Sequence, residues 1–174
     1  MTQFNRLMST LSLVAGLSLS AGTAFADPCS SRGCTVTNTV QVHVGTVLRL
    51  SVQGSAAVVA TASPAVIASG IHASVGPSAV VRSNGAWRLE ISAAQDVWTA
   101  LDQTARTDKP AADLTWSTRA DEGFSSLSNG PAEAVHGGPT SATNLPLYYR
   151  TRFAPGSDTP GSYSMVVRLT LVGA

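Results

Sequence analysis

Tyr163-Ser164-Met165-Val166-Val167-Arg168-Leu169-Thr170-Leu171 decides the fold class. Tyr163, Met165, Val167, Leu169 and Leu171 share one parity, while Ser164, Arg168 and Thr170 share the other. Period-two alternation places the two sets on opposite faces of a β-strand; a helix would scatter both around its circumference. Pro160-Gly161, just before it, suits the central positions of a type II turn.

The same period recurs upstream. Val36, Val40, Val42 and Val44 alternate with Thr35, Thr37, Thr39, Gln41 and His43, and the even parity continues through Leu48, Leu50 and Val52 with Arg49 and Ser51 opposite. This predicts one long strand, or two in line with a bend at Gly45. Trp87, Leu89 and Ile91 alternate with Arg88, Glu90 and Ser92. Leu114 and Trp116 begin a short strand, and Leu147, Tyr149, Thr151 and Phe153 alternate with Tyr148, Arg150 and Arg152. Asn84-Gly85 predicts a type I′ hairpin, because both residues tolerate positive φ. Counting outward from that turn pairs Arg82 with Trp87 and Val80 with Leu89, with Val80, Trp87, Leu89 and Ile91 on the core face. Short strands, Gly/Pro/Ser turns and no amphipathic helix point to an all-β antiparallel sandwich over residues 36–174.

Three stretches read as irregular. Residues 54–77 are rich in Ala, Ser and Val and are expected to hold one edge strand near residues 65–73. Residues 99–112 carry Asp102, Arg106, Asp108 and Lys109 and read as an exposed connection. Residues 120–146, dense in Gly and Pro, read as a long surface loop, and loops of that length tend to be functional or mobile.

The N-terminus has a different character. Arg6 precedes an apolar stretch from Leu7 to Ser20, and Ala24-Phe25-Ala26 offers the small-x-small pattern of a cleavage site. Residues 1–26 are therefore expected to be a cleaved signal peptide. Outside the cytoplasm the pair Cys29 and Cys34, in Cys-Ser-Ser-Arg-Gly-Cys, is expected to oxidise and close residues 27–35 into a small disulfide-stapled segment.

Composition narrows the function. Of 174 residues only 12% are charged, the net charge is +1, and 44% are hydrophobic. That is too apolar for a disordered tail and too neutral for a protein whose main partner is nucleic acid. Beyond residue 26, ten basic and ten acidic groups cancel, and no further segment is long and apolar enough to span a membrane.

Catalysis finds little footing. His43, His72 and His136 lie far apart without metal-ligand spacing, and no Gly-x-Ser-x-Gly elbow is present. Asp121-Glu122-Gly123 with Asp113 or Asp108 could gather around calcium, but the alternating ligands of an EF-hand loop are missing. Gly137-Gly138-Pro139 lacks the Lys and helix of a phosphate-binding loop. The reading is of a non-enzymatic protein with no cofactor and no metal. Trp87, Trp116, Tyr149 and Tyr163 share parity with aliphatics and are assigned to the core. Trp98 and Tyr148 are the aromatics expected at the surface, and Tyr148 alternates with Arg150 and Arg152 to form a candidate ligand or partner face.

Three segments carry a family resemblance. They are residues 36–52, residues 79–92 with Val-Arg-Ser-Asn-Gly-Ala-Trp-Arg-Leu-Glu-Ile, and residues 160–172 with Pro-Gly-Ser-Tyr-Ser-Met-Val-Val-Arg-Leu-Thr-Leu. Together they resemble bacterial secreted Ig-like sandwiches, some of them pilin-like or surface-coat proteins. The resemblance implies an Ig-like β-sandwich and, for pilin-like members, a structural subunit that assembles by strand donation. This chain departs from the pilin pattern in two places: its cysteines are confined to the N-terminus, and it ends Leu-Val-Gly-Ala without a penultimate Tyr.

Two functions follow as expectations. One is an exported structural or adhesive surface module that pairs with itself or other surface proteins through an edge strand, with residues 36–52 as the natural donor or edge. The other is a glycan- or protein-binding module using Trp98, Tyr148 and the 120–146 segment.

Overall fold

The computed structural model describes residues 41–55 and 57–174. The expected signal peptide, the Cys29/Cys34 staple and the valines at 36 and 40 lie outside the described residues. Residues 46–174 form one compact unit, and residues 41–45 belong to a separate N-terminal unit.

In chain order the elements are β1 (Leu48–Gln53), β2 (Ala57–Ala62), a short helix α1 (Pro64–Ser69), β3 (Ile71–Ser83), β4 (Trp87–Ala93) and β5 (Thr99–Ala100). A 3₁₀ turn (Ala111–Asp113) leads into β6 (Leu114–Ser117), followed by β7 (Ser125–Ser126), β8 (Ala132–Gly137), β9 (Thr140–Arg152) and β10 (Gly161–Gly173). One sheet runs β1-β3-β9-β6-β7, and the other runs β2-β10-β4-β8 with β5 also against β10. Every pairing between these strands is antiparallel. The chain is an all-β antiparallel sandwich. Among the described residues no helix is long and apolar enough to cross a membrane.

The decisive strand behaves as its alternation requires. In β10, Tyr163, Met165 and Val167 are buried, and Leu169 and Leu171 are partly buried. Leu147, Tyr149 and Phe153 face the same core from β9 and its C-terminal end, joined by Leu114 and Trp116 of β6. A second cluster, Ala79, Val81, Trp87 and Leu89, fills the other end of the sandwich.

The Asn84-Gly85 step is not a hairpin. β3 and β4 belong to different sheets, so the step carries the chain across the sandwich. Neither residue takes positive φ. Asn84 Oδ1 accepts the Val47 N–H at 2.7 Å, extending the ladder in which Leu48 pairs with Ser83. Long-range pairing with β1 therefore overrides the local turn preference. The predicted register fails with it: Ala79 and Val81 are buried rather than Val80, and Arg82 lies opposite Arg49 instead of beside Trp87.

Other irregular stretches turn out ordered. Within residues 54–77, Ser63 caps α1 by accepting the Val66 N–H, Pro64 opens the helix, and Gly70 closes it at φ 78°. Six residues are too few to display a helical period, so only the caps could have signalled it. β3 then carries a bulge between Val75 and Ser78. One extra residue reverses which parity faces inward: Ile71 and Val75 point out before it, Ala79 and Val81 point in after it.

Residues 120–146 are not a long loop, since they supply β7, β8 and the first part of β9. Small and polar residues such as Ala132, Ala134 and Thr140 leave these strands little hydrophobic contrast. Along residues 41–47 no strand forms, and Val42 and Val44 are 68% and 67% exposed, against the expected core face. Gly161 opens β10 without positive φ, so Pro160-Gly161 is not a type II turn. Its glycine serves a close approach: a Cβ there would lie 2.8 Å from Ala105 Cβ.

Candidate functional site

The expected surface strip survives in part. Tyr148, Arg150 and Arg152 share the outer face of their sheet, opposite Val75, Ala73 and Ile71 respectively. The Arg150 guanidinium stacks over the Phe124 ring at 3.9 Å, and Arg152 Nη2 donates to Ser126 Oγ at 3.2 Å. Neither arginine has a carboxylate within ion-pair distance among the described residues. Ile71 and Val75 add exposed apolar surface to the strip. Phe124 gives no sequence signal of its own, since it stands alone in a Gly- and Pro-rich stretch.

Trp98 does not belong to this face. It is 1% exposed, and its backbone N–H donates to the Lys109 carbonyl at 2.7 Å. The indole is covered because the connection that follows folds back over it.

That connection is itself partly buried, contrary to its expected exposure. Lys109 is 0% exposed. Its ammonium donates to Arg152 O at 2.6 Å, Asp113 Oδ2 at 2.9 Å and Asp158 Oδ2 at 3.1 Å. The Phe153 ring centroid lies 4.5 Å away. Asp158 is tied further by the Ala154 N–H at 2.7 Å and by Arg106 Nη1 at 3.4 Å. A buried ammonium requires such partners, because taking an ion out of water costs several kcal/mol unless it is compensated. The Asp108 carboxylate lies on the exposed side, where the hydrogen bond from Arg106 holds its pKa below the usual aspartate value.

The flank between the sheets forms a third feature. Val52, Pro77, Tyr149, Val167 and Leu169 line an apolar cleft of about 210 Å³. β1 ends its sheet, and residues 167–173 of β10 pair with β4 on one side but with no strand on the other, among the described residues. The Tyr149 hydroxyl is buried without a hydrogen-bond partner among the described residues, and burial raises its pKa above the ordinary tyrosine range.

The remaining candidates do not converge. His72 pairs opposite Thr151 in one sheet, while His136 lies opposite Arg88 in the other and bonds Glu133. Asp108, Asp113 and Glu122 are each engaged by a cation, and among the described residues no three His, Cys, Asp or Glu side chains gather as metal ligands. The chain matches no protein-family model and no curated protein.

Proposed function

We propose that the chain is an exported, non-enzymatic surface module that associates with copies of itself by strand addition at the β1/β10 flank. The observation that carries this reading is the pair of strand edges that, among the described residues, have no strand beside them and border an apolar cleft. An incoming strand gains backbone hydrogen bonds from an edge and places alternate side chains into the cleft. The alternating valines of residues 36–44 have the pattern such a strand needs. Absence of net charge beyond residue 26 leaves little long-range repulsion between copies. Light scattering on purified protein is expected to show association that grows with concentration and weakens in Val52→Lys; a monomer at all concentrations contradicts it. Export is tested by N-terminal sequencing of the protein recovered outside the cytoplasm, which is expected to begin at Asp27.

A second reading rests on the outer strip. Tyr148, Phe124, Arg150 and Arg152 combine rings with guanidinium groups that lack carboxylate partners among the described residues, an arrangement suited to an acidic glycan. Loss of acidic-glycan binding in Tyr148→Ala and Arg150→Ala is its expected signature.

A further inference from the structure

Lys109 is the only lysine in the chain; all other basic side chains except the histidines are arginine. A buried ion pair is well served by the fixed fork of a guanidinium, whereas a lysine amine becomes a nucleophile once it loses a proton. Here the amine touches two carboxylates of unlike setting. Asp158 is 1% exposed at its side chain, and Asp113 is 28% exposed.

We propose that Lys109 and Asp158 become joined by an amide bond between Nζ and Cγ, formed by the folded chain without a co-reactant. Asp113 takes a proton from the ammonium across their 2.9 Å hydrogen bond. The freed amine attacks Asp158 Cγ, and the negative charge developing on the carboxyl oxygens is held by the Ala154 N–H and the Arg106 guanidinium, which already donate to them. Asp113 returns its proton to the departing oxygen, a second proton passes there from nitrogen, the C–O bond breaks and one water leaves. An ammonium and a carboxylate thereby become a neutral amide and water, with Asp113 regenerated. Exchanging a buried charged pair for an amide also removes the cost of keeping two ions out of water. The fixed geometry supplies the effective concentration that condensation in dilute water lacks.

The bond would tie the connection preceding β6 to the loop between β9 and β10, positions 49 residues apart. The cross-link is independent of self-association. Its test is mass spectrometry of the denatured and reduced full chain, followed by peptide mapping. The expected result is a mass one water below that calculated for the reduced chain, with a branched peptide joining Lys109 to Asp158. Lys109→Arg should abolish the branch, and Asp113→Ala, checked for folding by circular dichroism, should slow its formation about a hundredfold or more. A wild-type chain at full mass after prolonged incubation overturns the proposal, as does a branch at Asp113.

Discussion

The indole N–H of Trp87 donates to the Gly138 carbonyl at 2.7 Å, which pins the start of β4 to the end of β8. The same ring leaves no room at the neighbouring glycine, where a Cβ would lie 2.8 Å from Trp87 Cζ2. Gly137→Ala is therefore expected to destabilise the protein by about 1–3 kcal/mol through overpacking. Equilibrium urea unfolding checks it, and an unchanged midpoint contradicts the contact.

Lys109→Met should cost more. It leaves Asp158 buried with only Arg106 and the Ala154 N–H to compensate it. Breaking a buried pair from one side costs about 3–5 kcal/mol in chains not yet cross-linked, and in cross-linked chains loss of the tie between positions 49 residues apart adds to it. The same unfolding experiment measures the loss, and a change near zero would place Lys109 in solvent.

Trp98 and Tyr148 should respond in opposite ways. Truncating the buried indole in Trp98→Ala is expected to cost about 3–5 kcal/mol, while Tyr148→Ala, on the half-exposed outer face, should leave stability within about 1 kcal/mol. Equal losses at the two sites would contradict their placement.

Acid should loosen the link between residues 102–105 and β10. Asp102 accepts hydrogen bonds from the Ser162 N–H at 2.7 Å and the Ala105 N–H at 2.9 Å, and the Ser162 bond leads in holding its pKa below the usual aspartate value. A carboxylate whose folded pKa is depressed contributes stability above its unfolded pKa and loses it as pH falls through the folded value. Stability is thus expected to decline below about pH 4, with a shallower slope in Asp102→Asn. Identical slopes in the two proteins, measured by urea unfolding against pH, contradict this role.

Some sequence signals carried through to the fold and others did not. Alternation in β10, in the second half of β9 and in β4 as far as Ile91 names the inward-facing residues, because side-chain parity follows directly from strand geometry, whereas Ser92, expected on the polar face of β4, is buried. Signals that depend on distant partners mislead. Asn84-Gly85 has hairpin chemistry, yet pairing of β1 with β3 uses the Asn84 side chain differently. The bulge near Gly76 inverts parity within β3, and no local pattern announces it. Lys109 reads as solvated because its partners Asp158 and the Arg152 carbonyl are more than forty positions away. Tyr148, Arg150 and Arg152 are readable as one face from parity alone, whereas Phe124 joins them only through the fold.

Self-association at the flank bordered by β1 and β10 is tested most directly by hydrogen exchange. Amides of residues 48–53 and 167–173 should exchange more slowly at high than at low protein concentration, with Val52→Lys removing the difference. Exchange at both edges that is independent of concentration, in a protein that stays monomeric, would contradict self-association by strand addition.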